Sequence, residues 1–502
     1  MYYFLNKDIG RKLTGIEHAA VARLKIFQEK QLTTKILTTL YNPHLFHNVE
    51  RIGLKSNDVL NMFHYFQKAE PVAAFTVQDL VEKSNFQAKQ VGQIHDYRIY
   101  DQQQKYLMYV SCFPNSPYIH YINYFDQKLR KYKRAIYDAF GFLSKEVFLG
   151  EKNSILFEIY YDIFGQRVLE YSYSLATDAK EVTQITLYHQ ERTLFFSTEQ
   201  ELIEYWLKQL LNQPEKTFFI IDRNLYFNAI VAKLEHENLR KISIIHSLHV
   251  TKLNAVASGN ILSGYKIPLE QHEKFDAVVV STQQQKHDIQ QRFPNHQKIH
   301  VIQPTYCSNQ LTPTKPNKTP GQPIKIISLG RYFYEKRLEH IIEAVHRNRD
   351  QNIQLDLYGF PDGRDKEKTF TMLKALVKQY KLEDMVHFKG YHSDIKSILP
   401  EYDIAMVTSR LEGFCIAILD TMNQGVPNIA YDIKYGPAEM IDHDINGCLV
   451  ENGNLDALCA TLRALVEDEN KRLALANNAY VKSLTYAKKN MAEKWQLMLN
   501  QL

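Results

Sequence analysis

The sequence predicts an α/β protein of two doubly wound halves facing a cleft, with a β-rich insertion in the first. Three observations carry this. Short apolar, β-branched runs, each followed by glycine and then a helical apolar stripe, occur at the N-terminus and repeatedly after residue 324. From about Val91 to Ser197 the pattern alternates residue by residue and is dense in Tyr and Phe, as in IHYINYF and TQITLYHQERTLFFS. Such an antiparallel meander does not belong inside a doubly wound domain and reads as an insertion. Finally, PTYCSNQLTPTKPNKTPGQP, from Pro304 to Pro323, contains five prolines and reads as a linker, since neither helix nor strand tolerates that composition. The resulting organisation is 1–75 with 215–305 as the first half, 76–214 as the insertion, 306–323 as the linker, 324–484 as the second half and 485–502 as a closing helix.

At 502 residues the chain is too long for one ordinary core. Its 45% hydrophobic and 23% charged residues are those of a globular protein. It has no run of about twenty apolar residues, and MYYFLNKDIGRKL lacks both the basic start and the apolar stretch of a signal peptide. The expectation is therefore a cytoplasmic protein. Cys112, Cys307, Cys415, Cys448 and Cys459 show no metal-ligand spacing, and their odd number argues against a disulfide framework. A net charge of +5 is mild and does not point to nucleic acid.

In chain order, Tyr2 to Asn6 is a strand, and the polar loop KDIGRKLT leads through Gly15 into a helix with Ile16, Ala20, Leu24 and Phe27 on one face. Gly15 reads equally well as a simple turn residue. In the insertion, ILFEIYYDIFGQRVLEYSYS turns at Gly165 with period-two alternation on both flanks. Lys128, Arg130, Lys131, Lys133 and Arg134 alternate there with Leu129 and Tyr132. That stretch is either a site for a polyphosphate chain or a solvated face, in even balance. The α/β pattern returns with Thr217-Phe-Phe-Ile-Ile-Asp222, a helix-like segment, and the strand Ile242 to Ile245. The latter ends in His246-Ser-Leu-His249. Histidines at the carboxyl end of a strand in an open sheet point into its ligand crevice; the alternative is two surface histidines. Phe275 to Thr282 and Ile299 to Ile302 complete the first half.

The second half opens with the strand Ile324 to Leu329, then Gly330, Arg331, Lys336 and Arg337, then a helix through Val345. Cations five residues apart after a strand can share one diphosphate, although Lys336 and Arg337 also suit an exposed helix start. Ile353 to Tyr358 with Gly359 and Met385 to Tyr391 are further strands with their turns. The run Tyr402 to Ser409 delivers Glu412 to the top of the sheet, and Gly413 allows a tight turn. Phe414 through Leu419 then open a helix whose first N–H groups, at Phe414, Cys415 and Ile416, suit a pyrophosphate. Asp420, about two turns on, can accept hydrogen bonds from a ribose diol.

The segment EGFCIAILD, Glu412 to Asp420, resembles the Glu-x7-Glu signature of retaining GT-B glycosyltransferases, with Asp in place of the second Glu. The loop Tyr431-Asp-Ile-Lys-Tyr-Gly-Pro437 resembles the poly(glycerol-phosphate) α-glucosyltransferases of wall teichoic acid, of which accessory-secretion glycosyltransferase A is a cousin. The similarity covers most of the chain and is strongest from about Gly330. It implies a GT-B fold in which Gly15 lets donor and acceptor approach the backbone and the His-x-x-His pair, His246 and His249, brings an imidazole to the donor sugar near the reacting carbon. By the same resemblance, Arg331 and Lys336 hold the phosphates and the backbone of Lys389, Gly390 and Tyr391 binds uracil. It further implies that the insertion serves self-assembly into a homo-oligomer and acceptor binding, and that the closing helix packs back on the first domain.

The reading is a retaining transferase that moves glucose from UDP-glucose to a glycerol- or ribitol-phosphate polymer hydroxyl. No cofactor or metal is expected, because Arg331, Lys336 and a helix N-terminus neutralise the leaving UDP. The expected partners are the UDP-sugar and an anionic teichoic acid polymer, with peripheral association at the inner membrane face. Two alternatives stand beside it: transfer of GlcNAc or glucose to Ser or Thr of a serine-rich adhesin, and an inactive GT-B chaperone or binding module.

Overall fold

The computed structural model describes residues 1–174, 180–252, 255–307 and 321–502. Most of the expected linker at 306–323, namely residues 308–320, lies outside the described residues. Three sheets organise the chain. The first runs from the edge strand Ile299–Val301 through Ala277–Val280, Leu239–Ile245, Thr217–Ile221, Tyr2–Leu5 and Thr34–Thr38 to Val59–Asn61. The second has ten strands, from Gln87–Gln90 to Arg192–Phe196, each hydrogen-bonded to its neighbour in the chain. The third is six-stranded, in the order Val386–Gly390, Ile353–Tyr358, Ile324–Leu329, Ile404–Val407, Asn428–Asp432, Gly447–Glu451, and every pair in it is parallel.

Counted from its own first strand, the third sheet has the order 3-2-1-4-5-6. The direction of winding reverses between Ile324–Leu329 and Ile404–Val407, and the loops leaving these two strands diverge to open a crevice at their carboxyl ends. Leu338, Ile341, Ile342 and Val345 bury one face of the helix Leu338–Arg347 against this sheet. The compactness of the chain divides it into two units. One comprises Met1–Arg11, Thr34–Phe219 and Ala229–Leu239; the other comprises Lys12–Thr33, Ile220–Asn228 and Arg240–Leu502. The meander belongs to the first, where Ile99, Val110, Ile119 and Ile122 form its core against Leu80 of the helix Val77–Ser84. Gly165, at φ +77°, makes the turn between Ile155–Tyr161 and Arg167–Tyr173.

Two histidines of the second unit are fully buried and neutral. The ring of His296 lies 3.1 Å from the Pro268 carbonyl oxygen, and His249 makes no hydrogen bond through either ring nitrogen. Burial pushes both down to about 4. Their ordinary value is about 6.5, so the unfolded chain binds more protons between those limits. The stability they support is complete above about pH 6.5 and is lost as pH falls toward 4. Urea unfolding between pH 7.5 and 5 should show the midpoint falling with pH, and His296→Gln should flatten that slope.

Candidate active site

The crevice of the third sheet collects the charged groups. Glu412 follows Ile404–Val407, and its Oε1 receives Lys336 Nζ at 2.5 Å and the Ser409 hydroxyl at 2.7 Å. The Thr408 hydroxyl donates to the carbonyls of Lys336 (3.1 Å) and Arg337 (2.9 Å), tying the strand end to the turn that carries the lysine. Burial alone would lower the Lys336 pKa, but the Glu412 carboxylate outweighs it and holds it above the ordinary lysine value. Lys336 therefore remains a cation. Arg331 pairs with Asp362, which Arg364 also holds at 2.9 Å. Burial raises the Asp362 carboxyl, yet the two arginines keep it below the usual carboxylate range.

Backbone contacts with no room for a side chain set the walls. A Cβ on Gly359 would lie 1.8 Å from the Gly330 carbonyl oxygen, and one on Gly413 would lie 1.9 Å from that of His246. Gly330 N–H donates to Tyr358 O and Gly359 N–H donates to Gly390 O, both at 2.9 Å, so three strand-end turns are zipped together. Lys389 Nζ stands 4.0 Å from Asp356 Oδ2, and the Tyr391 ring meets Phe360 edge-on at 5.8 Å. Lys389, Gly390 and Tyr391 thus form the rim beside Gly359.

The helix after Glu412 begins at Ile416, two residues later than the sequence reading placed it. Cys415 takes φ +70°, ψ +70°, a left-handed conformation that helical hydrogen bonding cannot continue through. Phe414 turns inward instead, against Tyr486, while its carbonyl lies where a Cβ on Gly436 would intrude to 2.0 Å. Asp420, in the second turn of this helix, pairs with Lys396 Nζ at 3.2 Å and not with the cations bound to Glu412 and Asp362. Gly15 is the first residue of the helix Gly15–Glu29, and a methyl there would meet Ile416 Cδ1 at an ordinary 3.6 Å. The first turns of these two helices are therefore neighbours.

His246 Nε2 lies 2.9 Å from Asp222 Oδ1. His249 does not share that setting: it is fully buried, with its ring parallel to Tyr435 at 6.3 Å. The structure thus gathers Gly15, His246, Arg331, Lys336, Lys389 to Tyr391 and Glu412 to Asp420 within one unit.

The five insertion cations lie in the other unit and do not form one row. Lys128 and Arg130 occupy the turn capped by Asp126, Lys133 reaches Glu146 at 2.7 Å, and Arg134 reaches Asn123 at 2.7 Å. The strand Lys131–Tyr137 carries a register shift at its start: Lys131 stands opposite Phe125 and Arg134 opposite Asn123, on one face, while Lys133 stands opposite Tyr124 on the other.

Sequence reasoning missed the acidic partners Asp222 and Asp362, and Lys396. An acid closing the apolar run TFFIID was the available signal for Asp222, and a Pro-Asp-Gly turn after Phe360 was the signal for Asp362. Lys396 lies in a polar stretch that offered none.

Residues 312–482 match the family Glycosyl transferases group 1. The poly(glycerol-phosphate) alpha-glucosyltransferase of Bacillus subtilis is 24% identical over 518 residues, covering 100% of this chain and 75% of that one. The GtfA subunit of the UDP-N-acetylglucosamine–peptide N-acetylglucosaminyltransferase of Streptococcus pneumoniae is 24% identical over 524 residues, 98% of each chain. Among solved structures, a variant of S. aureus TarM in complex with Fondaparinux, alpha-GlcNAc-glycerol and UDP matches with a TM-score of 0.80 at 19% identity, covering 99% of both chains. The pneumococcal O-GlcNAc transferase GtfA in complex with UDP and GlcNAc matches at 0.84 and 20% identity, over 100% of this chain and 98% of that one. The fold is GT-B, and these similarities indicate a glycosyltransferase.

The contact between Gly413 and the His246 carbonyl gives a test. Gly413→Ala should separate the two loops and lower glycosyl-transfer turnover about 100-fold, the scale of a 1 Å misplacement. Gly363→Ala, whose methyl meets nothing within 4 Å, should leave turnover unchanged. Steady-state rates of the two variants decide it.

Proposed function

We propose that the protein is a retaining glycosyltransferase that moves glucose from UDP-glucose to a hydroxyl of a poly(glycerol-phosphate) or poly(ribitol-phosphate) chain. The observation that carries this reading is the placement of Lys336 and Glu412, joined at 2.5 Å beside Arg331 at the switch point of the third sheet. A diphosphate entering there meets two cations, and a sugar beyond it meets a carboxylate able to hold its hydroxyls. The bond between the anomeric carbon and the β-phosphate oxygen breaks, and its electron pair stays on the phosphate. Arg331, Lys336 and the N–H groups opening the helix Ile416–Asn423 stabilise the growing charge, so the reaction needs no metal ion. The acceptor hydroxyl bonds to the same face of that carbon and gives its proton to the departing phosphate, which preserves the anomeric configuration. Asp420 takes the ribose, the backbone of Lys389 to Tyr391 takes the uracil, and the insertion cations meet the polymer. The protein works in the cytoplasm, at the inner membrane face, as a homo-oligomer.

A second acceptor reading is favoured by one observation, the higher TM-score with GtfA, 0.84 against 0.80 for TarM. Under it the sugar passes to Ser or Thr of a serine-rich protein. Among the described residues no helix is long and apolar enough to cross a membrane, a fact compatible with either acceptor.

Incubation with a panel of UDP-sugars, following UDP release in EDTA, should show turnover that is highest with UDP-glucose. Arg331→Ala should lower it by about 10²- to 10³-fold, the usual cost of losing one electrostatic stabiliser, and should weaken UDP binding. Unchanged turnover in that variant would remove the donor assignment. Glucose incorporation into glycerol-phosphate polymer, against a Ser-rich peptide, then separates the two acceptors; transfer to the peptide alone selects the second reading.

A further inference from the structure

One buried chain of polar contacts leads away from the crevice. Asp222 closes the strand Thr217–Ile221 and is 1% exposed. Its Oδ1 faces His246 Nε2 at 2.9 Å, and its Oδ2 receives Arg23 Nη2 at 2.5 Å. Arg23, on the helix Gly15–Glu29, is 2% exposed, and its guanidinium lies 5.3 Å from the centre of the Trp495 ring, a cation–π distance. Trp495 belongs to the helix Lys488–Leu499, is itself 2% exposed and meets Phe27 edge-on at 5.5 Å. The neighbouring Arg223 forms an ion pair with Glu17, and Glu17 accepts from Thr14 N–H at 2.8 Å, so the start of the same helix is bound to the same strand end.

Burial by itself would raise the Asp222 carboxyl, but Arg23 and His246 outweigh it and hold it below the ordinary carboxylate range. Asp222 is therefore an anion and can only accept. The proton between it and His246 therefore sits on Nε2. Two anchors fix the ring and its loop: the Asp222 hydrogen bond and the backbone contact of the His246 carbonyl with Gly413.

We propose that Asp222 is a positioning residue of the transferase site, which selects the tautomer and orientation of His246 and is itself held by Arg23 packed on Trp495. This rests on the reading of the crevice as a sugar-nucleotide site. It extends that site by a carboxylate, a guanidinium and an indole that touch no substrate. The closing helix thereby acquires a role in how the imidazole is presented, beyond its burial of Trp495 and Met498.

The test uses the full chain and two independent readouts. In protein labelled with 15N-histidine, the His246 signal is assigned by its loss in His246→Gln; the parent should show the Nε2-protonated tautomer and Asp222→Asn a mixture. With UDP-glucose, Asp222→Asn should lower kcat at least about 10-fold, as for carboxylates that orient other histidines, while the dissociation constant for UDP stays within twofold. The paired variant Arg23→Met with Asp222→Leu removes both charges, a replacement that buried ion pairs commonly tolerate. It should remain folded by circular dichroism and show the same loss of kcat. A parent ring protonated on Nδ1, or an unchanged kcat in the folded paired variant, overturns the proposal. Absence of turnover of every UDP-sugar by the parent would instead refute the transferase reading, and the tautomer measurement would still decide the Asp222 contact.

Discussion

The structure depends on backbone meeting backbone at the ends of strands. Gly359 against the Gly330 carbonyl, Gly413 against that of His246 and Gly436 against that of Phe414 are three places where a Cβ would fall within 2.0 Å of an oxygen. Real Cβ atoms do not approach so closely, so each contact exists only because a glycine stands there. Through them the turns after Ile324–Leu329 and Ile353–Tyr358 form one wall, and the loops carrying His246 and Glu412 form another. Side chains on those loops inherit fixed positions from the main chain beneath them.

Charge is arranged on this frame in pairs of base and acid. Arg331 has Asp362, Lys336 has Glu412, and Lys396 has Asp420. An acid beside each base keeps the side chain extended and oriented before any anion arrives, which lowers the ordering cost of binding one. It also means that an incoming phosphate competes with carboxylates already in place. Affinity then depends on how many of these contacts a ligand can share, as bidentate partners do, without displacing the acid.

How much of this was readable in the sequence follows from the range of each interaction. The two α/β halves, the Tyr- and Phe-rich meander and the strands ending at Leu329, Tyr358 and Val407 were legible, because apolar periodicity is local and glycine marks the turns. So was the association of Lys336 with Glu412 at one crevice, since both leave strand ends of one sheet. The start of the helix at Ile416 was not. Nothing in EGFCIAILD signals that Cys415 is left-handed, or that Phe414 beside it packs on Tyr486 seventy-odd residues away. Asp222 and Arg23 were missed for a related reason: their partners are separated from them in sequence, and a buried ion pair has no periodicity. Lys128 to Arg134 looked like a row of cations, and the pairing of Lys131, Lys133 and Arg134 with Phe125, Tyr124 and Asn123 divides it between two faces.

The ten-stranded meander has a bearing on the order of assembly. Every one of its strands pairs with the strand next in the chain, from Gln87–Gln90 through Arg192–Phe196. Contacts so local form early and at small cost in loop closure. The strand Tyr2–Leu5, by contrast, lies in a sheet beside Thr217–Ile221, more than two hundred residues later. On a ribosome the meander has all its strands available while the N-terminal strand still lacks one neighbour, and chains that expose an unpaired strand edge during synthesis are prone to aggregate. Tyr2–Leu5 already has Thr34–Thr38 along one side at that stage. The hydrogen-bonding edge that waits is the one reserved for Thr217–Ile221, so the insertion sets how long the nascent chain must keep that edge from other partners.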